Sequence, residues 1–258
     1  MANWKMKLPK IQKGAGIFLG LLIGFVILGF ADKKQESRVC SGIYVRIDNQ
    51  LGNYFINEQD IVSLITSDGE SVVIGRPFRS IDLKGIERQV QENKFVYDAE
   101  VYRSLDGQLM VDVVQNKPIA RIISDKIKDQ YISKEGEVLP VSKRYTARTL
   151  LISGGFADKI SVANLNETDF GKELYKMLLF IEGDPFWKAQ VAQLDISANG
   201  NITMFTQVSK QVVEFGRPVD FEKKLKKLKI FYTSILPGKG WNSYEKVSVK
   251  YKDQIICE

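Results

Sequence analysis

An uncharged apolar run over residues 14–31, GAGIFLGLLIGFVILGFA, limits what this chain can fold into more than any other feature. The run contains no proline, and a helix needs roughly 20 apolar residues to cross the hydrocarbon core of a membrane. Lys5, Lys7, Lys10 and Lys13 precede it and no acidic residue does. Because lysine-rich flanks stay in the cytoplasm, we predict a single transmembrane helix over residues 14–31 behind a cytoplasmic tail.

Two other interpretations of the apolar run stay open. A lysine-rich start, an apolar middle and the small-any-small triplet Gly29-Phe30-Ala31 also describe a cleavable signal peptide. The run is longer than the roughly 7 to 15 apolar residues of such peptides, which favours a retained anchor. A buried helix of a soluble protein is disfavoured, because the run is rich in glycine, which is costly inside a soluble helix.

The charge of the chain is concentrated before this run. The whole chain carries +6, and the four N-terminal lysines supply most of that charge. The remainder is therefore close to neutral. A basic composition of this kind indicates membrane targeting rather than a surface for nucleic acid.

The chain lacks most residue types that carry catalysis. It has no histidine and two cysteines, Cys40 and Cys257, which excludes Ser-His-Asp and Cys-His catalysis and argues against the usual zinc sites. A glycosidase needs only two carboxylates, for which Glu135, Glu137 and Asp195 are candidates. These acids lie in turn and strand patterns typical of exposed residues. We therefore predict that the chain is not an enzyme and binds no cofactor or metal.

After a charged linker over residues 32–39, the pattern predicts the order strand, helix, helix, strand, strand. Ile86 and Val90 face inward on the second helix, and Asp106-Gly107 is a strong signal for a hairpin turn between the last two strands. The predicted elements are a strand over residues 43–47, a helix after Asn57, a helix after Asp82, and strands over residues 95–103 and 108–114.

The second half of the chain mixes strands with helices. Asn199-Gly200 predicts a hairpin turn. The lysine-rich segment 221–232 predicts a helix that either lies on an anionic membrane or, as we favour, carries a solvated face over a core stripe. The other predicted elements are strands over residues 131–139 around a turn, a strand over 151–154, a helix from Thr168 or Asp169, strands over 191–197, 201–206 and 211–215, and a last strand over 246–256.

Several short motifs follow one another in the order found in one protein family. They are Phe95-Val96-x-x-Ala99-x-Val101-x-Arg103, Leu109-x-Val111-x-Val113, Pro118-Ile119-Ala120, Tyr131-Ile132-Ser133-Lys134-Glu135-Gly136-Glu137-Val138, and Phe221-Glu222-Lys223-Lys224-Leu225. Together they resemble the FtsQ/DivIB family of bacterial cell-division proteins. The resemblance covers nearly the whole chain.

The resemblance implies an α+β fold with one transmembrane helix, a β-α-α-β-β POTRA domain over residues 40–117, and a mixed β-domain with helices over residues 118–258. It implies a single-pass protein of the cytoplasmic (inner) membrane whose bulk is periplasmic, at the division septum. The family's arrangement also separates Cys40 from Cys257, so we expect no disulfide between them.

The resemblance further implies a non-catalytic scaffold of the divisome. Such a scaffold binds FtsB and FtsL, and through them the septal peptidoglycan synthases. A periplasmic cell-wall hydrolase or binding module is the alternative hypothesis, and a POTRA-bearing translocation component is a third.

The last predicted strand carries the expected partner site. Val247, Val249 and Tyr251 alternate with polar residues, which is typical of a strand with one buried face, and a last strand often offers a free edge to another chain. The resemblance implies that FtsB binds here, at a segment similar to the family's D-L-R-Y. The alternative is that Tyr251 is a core residue and the strand only closes the sheet. The expected contact residues are Val249, Lys250, Tyr251, Lys252, Ile255 and Ile256.

Overall fold

The structure is a computed structural model that describes residues 18, 21–23, 38–48, 52–66, 73–160, 165–208 and 210–258. Residues 18 and 21–23 are helical, but the rest of the predicted transmembrane helix, the tail and most of the linker lie outside the described residues. None of the helices within the described ranges has the length and apolar character needed to cross a membrane. The transmembrane helix therefore stays a prediction.

The chain divides into two compact units. Among the described residues, the smaller unit includes Glu58–Glu92 and Ala99–Val113, and the larger includes Asp48–Asn57, Asn93–Asp98 and Val114–Glu258. The segments around residues 48–57 and 93–98 thus group with the C-terminal half of the chain. The predicted domain boundaries at 40–117 and 118–258 stay predictions.

The first elements confirm the predicted β-α-α-β-β order. Strand β3 lies between β1 and β2 in a three-stranded sheet, and the turn between β2 and β3 places Gly107 at a φ of 82°, a conformation that favours glycine. The elements are β1 (Gly42–Asp48), α1 (Glu58–Thr66), α2 (Leu83–Gln91), β2 (Val96–Arg103) and β3 (Gln108–Gln115), with a 3-10 turn (Phe78–Ser80) before α2.

Two side chains of helix α2 form hydrogen bonds with the backbone of β2. The backbone N–H of Val101 donates to Glu87 Oε2 at 3.2 Å, and Gln91 Nε2 donates to the carbonyl oxygen of Ala99 at 3.1 Å. Asp82 caps the start of the helix by accepting from the Gly85 N–H at 2.9 Å. Both helices and one face of β3 contribute buried side chains to this unit: Ile61, Ile65, Ile86, Val90, Leu109, Val111 and Val113.

The larger unit is built on a nine-stranded sheet with the order β12-β11-β10-β9-β8-β7-β4-β5-β6. The pairs β10–β11, β4–β7 and β7–β8 are parallel, and the other pairs are antiparallel. The strands are β4 (Pro118–Ile122), β5 (Gln130–Ser133), β6 (Val138–Pro140), β7 (Leu150–Ser153), β8 (Val191–Ile196), β9 (Ile202–Thr206), β10 (Val212–Gly216), β11 (Lys246–Ser248) and β12 (Ile256–Cys257).

Helices supply the rest of the core of this unit. The apolar stripe of α6, formed by Phe221, Leu225 and Leu228, is buried in the same cluster as the sheet, which confirms the predicted core stripe. Trp187 is also buried there. The helices are α3 (Ala157–Ile160), α4 (Asp169–Gly183), α5 (Pro185–Gln190) and α6 (Phe221–Ile230), which continues through a π-helical turn (Phe231–Ile235) into α7 (Leu236–Lys239).

The predicted last strand over residues 246–256 is wrong. Strand β11 ends at Ser248, the chain turns, and β12 returns antiparallel to β11. The predicted alternation fails because Val247, Ser248 and Val249 are all buried. Strand β11 lies between β12 and β10 in the sheet. The segment that follows it contacts Lys227 of α6 through the backbone oxygens of Val249 and Tyr251.

We predict that Ile86→Asp destabilises the smaller unit by several kcal/mol, because it places an unpaired carboxylate at a buried site. The measurement is thermal unfolding of the chain by circular dichroism. Lys84→Asp, on the exposed side of the same helix, is the matched control and should change stability by less than about 0.5 kcal/mol. Equal melting of both variants would contradict the assigned packing of α2.

Candidate partner-binding site

The C-terminal hairpin, residues 246–258, consists of β11, a turn and β12 at one end of the nine-stranded sheet. Tyr251 is 48% exposed, so it is not a core residue. The structure divides the six expected contact residues: Val249 is buried in the core, Ile255 is half-buried against it, and Lys250, Tyr251, Lys252 and Ile256 are at the surface. Four of the six side chains are thus accessible to a partner.

Strand β12 is an outermost strand of the sheet. Lys246 and Glu258 exchange two backbone hydrogen bonds, of 3.1 and 3.0 Å, and so form a hydrogen-bonded pair. The next pair, Val247 with Cys257, is then a non-hydrogen-bonded pair, in which the N–H and C=O of Cys257 point away from β11. The outer side of β12 therefore presents backbone groups to a further strand.

Glu214 of β10 holds the first half of the hairpin. Its Oε1 accepts from Lys246 Nζ at 2.5 Å and its Oε2 accepts from Lys250 Nζ at 2.7 Å. These two hydrogen bonds, that from Lys246 first, lower the pKa of Glu214 from 4.5 to about 2, and the same contact raises the pKa of Lys246. The backbone oxygen of Glu214 also accepts from the Val249 N–H at 3.0 Å. One residue thus fixes both the backbone and the lysines of this segment.

Lys227 of α6 holds the turn of the hairpin. An ammonium group has three N–H donors, so the carbonyl groups that converge on Lys227 share one cation. In a turn the backbone carbonyl groups do not face a neighbouring strand, and Lys227 supplies the hydrogen bonds that such a strand would provide. The accepting backbone oxygens are those of Val249 at 3.3 Å, Lys252 at 3.2 Å and Gln254 at 3.3 Å, together with Tyr251 in closer contact.

Sequence reasoning missed both holding residues. Lys227 lies in a run with Lys223, Lys224, Lys226 and Lys229, and no pattern in that run distinguishes the lysine that contacts the hairpin from the others. Glu214 lies in the middle of a predicted strand. Each of them contacts residues more than twenty positions later in the chain, and only the fold brings these residues together.

The candidate carboxylates for glycoside hydrolysis are not brought together. Glu135 and Glu137 lie in the turn between β5 and β6, whereas Asp195 lies in β8 and accepts a hydrogen bond from Ser153 Oγ at 2.7 Å. Strands β7 and β4 separate β8 from β5, so the two backbones are about 14 Å apart at the usual strand spacing. That exceeds the roughly 5 to 9.5 Å between the carboxyl groups of a glycosidase pair. Within the described residues, no cluster of acids or cysteines has the composition of a metal site.

Comparison with known proteins identifies two matching regions. A family model described as FtsQ/DivIB, C-terminal related matches residues 117–258, and a model of a POTRA-like domain matches residues 38–114. The first region is more than half of the chain and contains the whole C-terminal hairpin. The comparison with curated proteins found no match.

We predict that Glu214→Gln lowers the melting temperature of the chain at pH 7 and that this difference shrinks in acid. A carboxylate with a depressed pKa stabilises the fold above its ordinary pKa of 4.5 and loses that contribution as the pH falls through about 2. Thermal melts between pH 7 and pH 2 test this, with Glu222→Gln on the exposed side of α6 as control. A difference that stays constant over this range would contradict the assigned ion pairs.

We predict that Lys227→Met, which keeps the aliphatic stem, frees the turn of the hairpin. A hydrogen bond to a charged group contributes about 1.5–3 kcal/mol, so amide exchange over residues 250–254 should be about tenfold faster or more. Hydrogen–deuterium exchange read by mass spectrometry measures it. Lys226→Met, at the exposed neighbour, should leave exchange unchanged. Unaltered protection in the Lys227 variant would show that the turn is held by other contacts.

Proposed function

The chain belongs to the FtsQ/DivIB family and contains a POTRA-like domain, and on this basis we propose that it is a non-catalytic membrane scaffold of the bacterial divisome. In this proposal residues 14–31 anchor the chain in the cytoplasmic membrane with residues 1–13 in the cytoplasm. The folded units then lie in the periplasm, where the protein binds FtsB and FtsL and helps to recruit and regulate septal peptidoglycan synthesis at the division septum.

The open edge of β12 is the observation that carries the proposal. Cys257 offers its backbone N–H and C=O on that side, and strand addition uses such groups for affinity. Tyr251 and Ile256 are exposed apolar side chains beside the edge. Tyrosine is enriched among the residues that dominate binding energy at protein interfaces. We therefore propose that an extended segment of FtsB adds to β12 and contacts Tyr251 and Ile256.

The lysines of the hairpin have different roles in this proposal. Lys250 is engaged with Glu214 at 2.7 Å, so a partner carboxylate that approached it would compete with an existing ion pair. Lys252 is exposed and forms no ion pair among those of the described residues. An acidic residue of the partner segment is therefore expected to face Lys252. A contact of this kind affects the rate of association more than affinity.

We predict that Tyr251→Ala weakens binding of the periplasmic segment of FtsB by about 2 kcal/mol or more, roughly 30-fold in Kd, because it removes an aromatic anchor. Calorimetric titration of the detergent-solubilised chain measures it. Tyr97→Ala, at an exposed tyrosine of β2, is the matched control and should bind like the parent. Deleting residues 250–258 should abolish binding while the POTRA domain stays folded.

The parent chain is itself the first test. If it captures no FtsB in a crosslinked pull-down from dividing cells, the partner assignment is wrong. If Tyr251→Ala binds as tightly as the parent with an unchanged circular dichroism spectrum, the partner contacts another part of the surface.

A further inference from the structure

Three chain segments form one end of the smaller unit, which we call the tip. They are residues 38–41, which lead into β1, residues 73–79, which precede α2, and residues 104–107, which form the turn between β2 and β3. All three segments belong to the smaller unit, so the tip is separate from the proposed partner site on β12.

Backbone hydrogen bonds hold the three segments together. The Cys40 N–H donates to the carbonyl oxygen of Arg76 at 2.8 Å, and the Gly75 N–H donates to that of Cys40 at 2.8 Å. The Ser41 N–H donates to the carbonyl oxygen of Gly107 at 2.8 Å. The side chains that these segments expose therefore lie at the same end of the unit.

Each segment exposes one aliphatic side chain. Val39 is 52% exposed, Ile74 is 51% exposed and Leu105 is 74% exposed. Ile74 and Leu105 lie in turns, where polar residues and glycine are usual, so the local backbone gives no reason for an aliphatic residue at either position. Single exposed apolar residues are common in folded proteins. Three of them on one end of a small unit form a patch of the kind that marks contact with a membrane or a protein.

Arginines accompany this patch. The three segments contain Arg38, Arg76 and Arg79, all exposed, and one acidic residue, Asp106. Among the described residues, neither Arg76 nor Arg79 takes part in an ion pair. Arg38 donates one guanidinium N–H to the backbone oxygen of Leu105 at 2.6 Å. Because guanidinium groups bind phosphate oxygens through paired hydrogen bonds, the tip complements the surface of an anionic phospholipid membrane.

The length of chain between the tip and the predicted membrane helix favours the membrane as the occupant of this patch. Ala31 ends the predicted helix and Arg38 begins the tip, so seven peptide steps separate them. Seven steps span at most about 25 Å when the chain is fully extended. In the anchored chain, the membrane surface is therefore always within reach of the tip, whereas a separate partner must diffuse to it.

We propose that the tip of the smaller unit rests on the periplasmic surface of the cytoplasmic membrane. Val39, Ile74 and Leu105 then lie at the boundary between lipid headgroups and acyl chains. Arg38 and Arg76 bind lipid phosphate groups. The inference rests on the membrane anchor of the proposed function and adds a second contact with lipid. This contact fixes the orientation of the smaller unit, because β2 is eight residues long and its far end lies about 23 Å from the tip.

Quenching of a fluorescent dye by lipid tests the inference on the full chain, reconstituted in vesicles of phosphatidylethanolamine and phosphatidylglycerol. A nitrobenzoxadiazole dye is attached at Leu105→Cys in a Cys257→Ser chain, and Cys40 is 1% exposed, so it should not react. Lipids with a nitroxide on the upper acyl chain quench a dye that touches them, and we expect at least about half of the emission to be lost. Glu92→Cys, an exposed position just before the far end of β2, is the matched control and should keep its emission.

Charge reversal tests the contribution of the arginines. A basic residue near an anionic surface favours the bound state about fivefold, so Arg76→Glu should lower the ratio of bound to free tip by about fivefold or more. Arg88→Glu, at an exposed arginine in the last turn of α2, is the control and should leave quenching unchanged. In vesicles of phosphatidylcholine, which has no net charge, the two variants should not differ.

Three results would overturn the inference: an unquenched dye at Leu105→Cys in a chain that the vesicles retain, equal quenching at Leu105→Cys and Glu92→Cys, or quenching that Arg76→Glu leaves unchanged. If added FtsB or FtsL, and not lipid, shields the dye at Leu105→Cys from iodide in water, the tip is a protein contact instead. Extraction of the vesicles with carbonate tests the anchor separately. A released chain contradicts the predicted membrane helix and the inference that rests on it, whereas a retained chain with an unquenched dye contradicts the tip contact alone.

Discussion

The single cation of Lys227 is the interaction on which the C-terminal hairpin depends. Strand β12 is two residues long, and so short a ladder fixes little of the chain. The turn before it directs its carbonyl groups toward one point, and the ammonium of Lys227 occupies that point. Glu214 adds the second attachment through Lys246 and Lys250. The open edge of the sheet is therefore shaped by side chains from a helix and from an inner strand.

This arrangement connects the edge of the sheet to the core. Leu225 and Leu228 flank Lys227 in α6 and are fully buried, so the helix has no freedom to turn its lysine away. Val249 lies in the same core cluster and donates its N–H to Glu214. The hairpin begins in the core, passes the two charged holding residues, and reaches solvent at Tyr251. An interface built on such a segment is preorganised, which lowers the entropy that a partner must overcome on binding.

Local pattern predicted the elements whose contacts are local. The Asp106-Gly107 turn, the start of a helix after Asp82 and the inward face of Ile86 and Val90 depend on spacing within a few residues, and each is present in the structure. The family motifs likewise predicted the order of strands and helices, which the two matched regions support. The partner site stays a prediction, and the continuous strand expected to form it is wrong.

The prediction of the last strand was wrong for a reason that the spacing of apolar residues cannot reveal. A period of two assigns Val247, Val249 and Tyr251 to one face, but the turn that breaks this face is held by Lys227, more than twenty residues earlier. Nothing between residues 246 and 256 is a glycine or a proline, so Asp253 is the main local signal for the turn.

The division of the hairpin also changes how the match to the family's D-L-R-Y segment is understood. The corresponding residues are Ser248, Val249, Lys250 and Tyr251, of which Ser248 does not match. Ser248 and Val249 are buried, and Lys250 is bound to Glu214, so three of these four positions maintain the fold of this segment. Tyr251 is 48% exposed. A segment that resembles a family's partner site can therefore owe most of its residues to the shape of the edge and one residue to recognition. In the proposed complex, affinity comes from the backbone of β12 and selectivity from Tyr251 and its exposed neighbours.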